Sequence, residues 1–322
     1  MPQLTVAQLL AERDEHFELT PLTGDTGVGK QVLSSEIHRP GLALAGYTDR
    51  FPSERAQVLG ETELAYLHDL VPKLRRERLE QMFKFTMPFL VATKGIQPPP
   101  ELLEVAALHD TAVLTTRLST TDFIYRLSVY LDAVFALRTS QHGTLVDVYG
   151  VGLLYTGQSG IGKSECALDL VERGHRLVAD DVVTITKKGP DVIVGQASEM
   201  LGHHMEVRGI GILDIERLFG IRSVRLQKRI EVVVKLVRFK DGGDYERLGL
   251  DEKFTQILGA EVPVVTIPVS PGKNITVISE VIAMNHMMKV YGENTAERFT
   301  QRLAEEIKRR RATGGYLEAD TE

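Results

Sequence analysis

Residues 157–164 read GQSGIGKS, and the reading of this stretch decides the fold of the second half of the chain. A Gly-rich loop that closes on Gly-Lys-Ser holds phosphate only in one setting. A buried strand must deliver the loop and a helix must begin at the lysine, so that backbone N–H groups and the positive helix end face the anion. Here GVGLLYT, residues 150–156, is an apolar strand pattern, and KSECALDLVERG, residues 163–174, carries helical periodicity with Ala167, Leu170 and Val171 on one face. Gly174 suits the C-terminal cap, and Ser164 supplies a hydroxyl for Mg²⁺. A second stretch, GDTGVGKQ at 24–31, copies the spacing but not the setting. Gln31 stands where the hydroxyl is needed, and the polar VLSSEIHRPG reaches Pro40 before a helix can establish itself. That copy is expected to be a Gly-rich turn between strands. The chain is therefore expected to bind nucleotide once, through Gly157, Gln158, Ser159, Gly160, Ile161, Gly162, Lys163 and Ser164.

The neighbours of the loop indicate its chemistry. RLVADDVVTI reads as an apolar strand interrupted by Asp180 and Asp181, a place where a carboxylate orients Mg²⁺. A carboxylate beside the transferred phosphoryl can also accept the proton of an incoming hydroxyl. Adjacent strand residues point to opposite faces, so one aspartate is expected to face metal and phosphate while the other faces elsewhere. In HHMEVRGIGILDI, residues 203–215, Glu206 is a hard oxygen ligand and Arg208 a group that can neutralise phosphate. His203 and His204 have no cysteine or HxxxH partner nearby and read as a polar surface pair. Taken alone, His142 reads as a surface turn, Arg247 as a solvated side chain and Cys166 as packing. No Asn-Lys-x-Asp motif of a GTPase and no HRDxxxxN signature of a eukaryotic-type kinase is present.

The chain has 322 residues, about two domains' worth, with 43% hydrophobic and 25% charged residues, ordinary for a globular protein. The net charge of −6 argues against a general nucleic-acid binder. One cysteine precludes an intrachain disulfide and fits a reducing compartment. The N-terminal stretch lacks the pattern of a signal peptide, and no window reaches the ~18 apolar residues of a membrane span, so a cytoplasmic protein is expected. MPQLTVAQLLAERDE reads as a short amphipathic helix with Leu4, Val6, Leu9 and Leu10 inward. HRPGLALAG reads as a turn and a short apolar stretch, and residues 54–83 as helix broken at Gly60 and Pro72. PFLVATKG, residues 88–95, is a buried-strand pattern, residues 98–116 read as loop, helix and strand, and residues 120–136 as a helix. This alternation predicts a small α/β domain. After it, Gly150 marks a hairpin within residues 144–157, DVIVG, RIEVVVKLVRF and VPVVTIPV read as strands, and TAERFTQRLAEEIKRRR as a closing helix.

GQSGIGKSE, RGHRLVADDVV, EVRGIGILDI, and PVSPGKN followed by SEVIAMN, in this order, resemble HPr kinase/phosphorylase; RPGLALAGY and SERAQVLGETE resemble that family's N-terminal domain. The resemblance covers nearly the whole chain. It implies an α/β protein with an N-terminal domain at 1–132, for assembly or regulation, and at 133–322 a P-loop kinase domain similar to the nucleotide core of phosphoenolpyruvate carboxykinase. It also implies a bifunctional enzyme. ATP and Mg²⁺ serve to phosphorylate a serine of the phosphocarrier protein HPr, and inorganic phosphate removes that group as pyrophosphate. A homohexamer and, in some members, a fructose bisphosphate effector come with the family.

Matched residue by residue, the resemblance places Lys163 on the β- and γ-phosphates, Ser164 and Glu206 on Mg²⁺, and Asp181 as the group that takes and returns the seryl proton, with Asp180 beside it. His142 and Arg247 match the family's catalytic His and Arg. PVSPGKN departs from the family pattern, which has Arg or Lys where Ser270 stands and Arg where Lys273 stands. One charge is gone and one guanidinium fork is replaced by a point charge, which puts phosphorolysis in question. A one-way HPr kinase, a small-molecule kinase or carboxykinase-like enzyme, and a nucleotide-dependent scaffold are the competing readings.

Overall fold

Contacts divide the chain into two units, Met1–Ala136 and Leu137–Glu322. The computed structural model describes residues 4–198, 202–239, 253–292, 298, 301–305 and 307–309, without the side chains of 12–15. The first unit begins with β1 (Leu4–Thr5), α1 (Val6–Phe17), β2 (Thr20–Pro21), β3 (Gln31–Val32), β4 (Ile37–His38) and α2 (Gly41–Leu44). It continues with β5 (Ala56–Leu59), α3 (Glu61–Asp69), α4 (Pro72–Phe83), β6 (Phe89–Ala92), α5 (Pro100–Leu108), β7 (Ala112–Thr115) and α6 (Thr120–Phe135). Strands β4, β5, β6 and β7 pair in parallel, and β2 joins the β7 edge antiparallel.

Helices cover both faces of this sheet, which is why its interior strands β5 and β6 are buried along their whole length. Val58, Phe89, Val91 and Leu114 pack on one side with Phe17, Phe123 and Leu127. Leu59, Leu90, Ala92 and Val113 pack on the other with Leu67, Met82 and Leu102. Residues 56–59, read from the sequence as helical, form the interior strand β5 because both of its faces are buried and no alternation is left to see. The break read at Gly60 is the start of α3, and Pro72 is the first residue of α4. The apolar part of HRPGLALAG is the short helix α2, and Leu4 lies in β1 rather than α1.

The first glycine stretch is a turn between β2 and β3. Its lysine reaches inward: Lys30 Nζ donates to the His109 carbonyl (3.2 Å) and Thr111 Oγ1 (3.0 Å). Gly27 N–H donates to Asp110 Oδ1 at 2.9 Å. Gln31 enters a strand and no helix begins there, so neither helix dipole nor free ammonium faces an anion.

The second unit starts with β8 (Arg138–His142), β9 (Thr144–Val148), β10 (Val151–Thr156), α7 (Lys163–Glu172), β11 (Arg176–Ala179), β12 (Val182–Lys187) and β13 (Ile193–Ala197). Then come β14 (His204–Val207), β15 (Gly211–Asp214), α8 (Ile215–Phe219), β16 (Gln227–Arg229), β17 (Val232–Arg238), β18 (Lys253–Ile257), β19 (Ala260–Val269) and α9 (Ile275–Val290). A six-stranded sheet runs β11-β9-β10-β17-β19-β18, with β10, β17 and β19 parallel. A four-stranded antiparallel sheet runs β16-β13-β12-β8. Strand alternation sorts the core: Val146, Leu153 and Tyr155 face α7 and α9, while Leu145, Leu154 and Val178 face Val183, Ile185 and Ile193 of the second sheet. Of the expected closing helix at 295–311, residues 298, 301–305 and 307–309 are helical; the rest, and the tail after it, lie outside the described residues.

Helices α7 and α9 are joined at the far end from the glycine loop. The buried Glu280 carboxylate of α9 accepts from Arg173 Nε (2.8 Å) and Nη2 (2.6 Å), and His175 Nε2 lies 3.1 Å from it. The Arg173 hydrogen bonds hold the Glu280 carboxyl below its ordinary range. A depressed carboxyl pKa stabilises the fold above the usual glutamate range, and that contribution is lost as pH falls through the folded value. Glu280→Gln is expected to cost about 2 kcal/mol at neutral pH, measured by urea unfolding, with the deficit shrinking in acid. A deficit that does not change with pH would contradict this role.

Candidate active site

Strand β10 delivers the loop at 157–162 and α7 starts at Lys163, the setting that the sequence called for. Gly162 caps the helix with φ of 101°, a conformation open to glycine and costly for other residues. The first N–H groups of α7 have no intrahelical partner and form the anion-facing end of the helix. Lys163 Nζ lies over the loop, 3.3 Å from the carbonyl oxygens of Gly157 and Gln158. The Arg208 guanidinium, from the turn after β14, packs against Gly160 so closely that a Cβ there would fall 2.6 Å from Nη1.

The two aspartates occupy a break between strands, not a strand. Asp180 and Asp181 link β11 of the six-stranded sheet to β12 of the four-stranded one, so strand alternation does not govern their directions. Asp181 takes φ of 64°. Alongside, Gly143 links β8 to β9 and crosses between the same two sheets in the opposite sense. A Cβ on Gly143 would lie 2.5 Å from the Tyr155 carbonyl oxygen, so only glycine fits the crossing. Three consecutive residues grip the aspartates: Thr144 Oγ1 donates to Asp180 Oδ1 (2.6 Å), Gly143 N–H donates to the Asp181 carbonyl (3.0 Å), and His142 Nδ1 lies 3.7 Å from Asp181 Oδ1.

The environments of the two carboxylates differ. Asp180 is 4% exposed and also accepts from Ser164 Oγ at 2.9 and 3.1 Å. Burial pushes its carboxyl above the ordinary range, more than the hydrogen bonds from Thr144 and Ser164 pull it down. The side chains of Asp181 and His142 are 73% and 85% exposed. Asp180 is therefore committed to the loop serine, whereas Asp181 and His142 are open to an incoming group.

The structure thus brings together Lys163, Ser164, Asp180, Asp181 and His142. Glu206 is exposed on β14, and no hydrogen bond or ion pair joins it to Ser164 or Asp180 among the described residues. Arg247 lies outside the described residues. Thr144 and Gly143 carried no signal in the sequence, since their roles arise from the sheet crossing. Arg208 was read from the sequence as a group that can neutralise phosphate, and its guanidinium lies against Gly160 of the loop. Mg²⁺ favours one or two carboxylates plus substrate phosphates and water. The Ser164 hydroxyl and Asp180 carboxylate fit such an ion; among the described residues no group of three His, Cys, Asp or Glu side chains forms a closed metal cage. His203 lies near Glu216 and the Arg225 carbonyl, and His204 near Asp214. Cys166 is buried against Ser279, and burial pushes its thiol up to about 11, so it is unsuited to nucleophilic chemistry.

The two lysines offer a direct test. Lys163→Met is expected to weaken ATP binding by about ten- to a hundredfold, the loss of charge-assisted hydrogen bonds. Lys30→Met is expected to leave it unchanged; calorimetric titration of both variants reads the difference.

Family models of the HPr serine kinase N terminus and of the HPr serine kinase C-terminal domain match residues 4–131 and 133–303. A protein of Chloroherpeton thalassium named HPr kinase/phosphorylase is 47% identical over 278 residues, 86% of this chain and 82% of the relative. One of the same name from Geobacillus kaustophilus is 43% identical over 307 residues, 95% of this chain and 97% of the relative. The solved structure of the Hpr(Ser) kinase/phosphatase from Coxiella burnetii aligns with a TM-score of 0.45 at 31% identity, over 50% of this chain and 98% of that one.

Proposed function

The chain belongs to the HPr kinase/phosphorylase family, and from that premise we propose that it phosphorylates a serine of HPr with Mg-ATP and removes the group again by phosphorolysis. The observation that carries this reading is the division between the two aspartates. Asp180 is buried and bound to Ser164, while Asp181 is exposed beside His142.

Serine is a weak nucleophile at its ordinary pKa, and a positioned carboxylate assists it. In the forward direction Asp181 accepts the seryl proton as the seryl oxygen bonds to the γ-phosphorus and the bond to ADP breaks. Lys163 and Arg208 offset charge on the equatorial oxygens, and the N-terminus of α7 holds the phosphate chain. Ser164, Asp180 and Glu206 are the residues that would hold Mg²⁺, which would supply neutralisation of phosphate charge. In reverse, a phosphate oxygen bonds to the phosphoseryl phosphorus as the seryl O–P bond breaks, protonated Asp181 gives its proton to the leaving seryl oxygen, and the pyrophosphate so formed is released. His142 orients Asp181, and Arg247 supplies further positive charge.

The reading extends to a core of the phosphoenolpyruvate carboxykinase kind for residues 133–322, supported by the strand, glycine loop and helix at 151–172. Residues 1–132 serve assembly or regulation; every residue given a chemical role lies after residue 141. A homohexamer, a fructose bisphosphate effector and a cytoplasmic location complete it. Among the described residues no helix is long and apolar enough to cross a membrane.

A specific departure favours a second reading, a one-way kinase. Ser270 removes a cation from the loop that follows β19, and Lys273 is exposed. Intact mass of HPr after incubation with Mg-ATP is expected to rise by one phosphoryl group, and added phosphate to reverse this with release of pyrophosphate. Asp181→Asn is expected to lower the forward rate by about 10²–10⁴ while ATP still binds. A gain that phosphate cannot reverse selects the one-way kinase, and Ser270→Arg is then expected to restore phosphorolysis. No gain at all overturns HPr as the substrate.

A further inference from the structure

Beside the glycine loop, the first two turns of α7 and residues 269–276 enclose a cleft of about 350 Å³. Sites for small organic molecules run from about 300 to 1,000 Å³. Ile161 and Gly162 belong to both the loop and the cleft wall, so the two are continuous. The cleft lies off the reacting side. Successive helical residues turn by about 100°, so Glu165 and Asp169 face away from Ser164 and its partner Asp180.

Its lining is wrong for phosphate and right for a heteroaromatic ring. Among the described residues that line it, Glu165 and Asp169 put two carboxylates against one cation, Lys273. Neither carboxylate is held in an ion pair among the described residues; Asp169 accepts only a 3.4 Å bond from Thr276 Oγ1. Ile161, Val269 and Ile275 supply apolar surface. Asn274 is oriented by its cap: its Oδ1 accepts from Val277 N–H at 3.0 Å, which leaves the amide NH₂ to donate. Apolar walls, carboxylate acceptors and one amide donor complement a purine, whose exocyclic amino group donates and whose ring nitrogens accept.

We propose that this cleft is the purine subsite of the nucleotide whose phosphates lie on the glycine loop, with Glu165 or Asp169 accepting from the exocyclic amino group. The inference rests on the reading of residues 157–164 as the phosphate site. It gives residues 269–276 a task in nucleotide recognition, separate from any contact with inorganic phosphate.

Asp169 is exposed on α7, so Asp169→Trp fills the cleft from outside without disturbing the core. The test titrates the full chain with ATP and, separately, with inorganic tripolyphosphate, which has the phosphates and no nucleoside. Asp169→Trp is expected to weaken ATP by about tenfold or more and to leave tripolyphosphate within about twofold. Unchanged ATP affinity, or an equal loss for both ligands, overturns the subsite. Should Asp169→Trp melt early, Glu165→Trp on the exposed first turn is scored by the same rule. If the wild-type chain binds tripolyphosphate, the loop reading stands whatever the variants do. If it binds neither ligand, the loop reading falls and the subsite with it.

Discussion

The buried carboxylate of Asp180 fixes the geometry of the catalytic unit. It accepts from Thr144 on β9 and from Ser164 on the first turn of α7. Hydrogen bonds to a charged group contribute about 1.5–3 kcal/mol each, and an unmade bond to a buried carboxylate costs at least as much. The helix start is thereby set against the sheet, and with it the direction in which the loop N–H groups point. The raised carboxyl pKa is the electrostatic counterpart: burial disfavours the charged form more than the hydrogen bonds from Thr144 and Ser164 favour it.

The same anchoring separates two adjacent, identical residues. Burial takes Asp180 out of reach of an acceptor. The left-handed backbone at Asp181 turns the next carboxylate outward, beside His142. A base for a protein hydroxyl has to be open on one side, because the hydroxyl arrives on a bulky partner. A group that organises Mg²⁺ and phosphate gains from being held. In the proposed reaction, one peptide bond thus links a residue fixed for positioning to one exposed for reaction.

Much of this was legible in the sequence where the physics is local. The glycine loop, its strand and its helix are contiguous, and Gln31 and Pro40 removed the competing copy by the same local rules. The family resemblance pointed to Asp180, Asp181 and His142. The parts that could not be read are those set by tertiary context. Residues 56–59 have no periodicity because helices cover both sides of their sheet. Asp180 and Asp181 look like strand residues because apolar segments flank them, and a change of sheet leaves no mark in a one-dimensional pattern. Thr144 and Gly143 matter only because the chain passes there twice.

That double passage has a mechanical meaning. β8 leaves one sheet for the other at Gly143, and β11 makes the return crossing at Asp180 and Asp181, at the same level of the sandwich. Hydrogen bonds from Thr144 and Ser164 to Asp180, and from Gly143 N–H to the Asp181 carbonyl, tie the two crossings to each other and to the start of α7. Asp180, Asp181 and His142 sit where two crossed straps meet, so in the proposed reaction their spacing depends on how the two sheets are aligned.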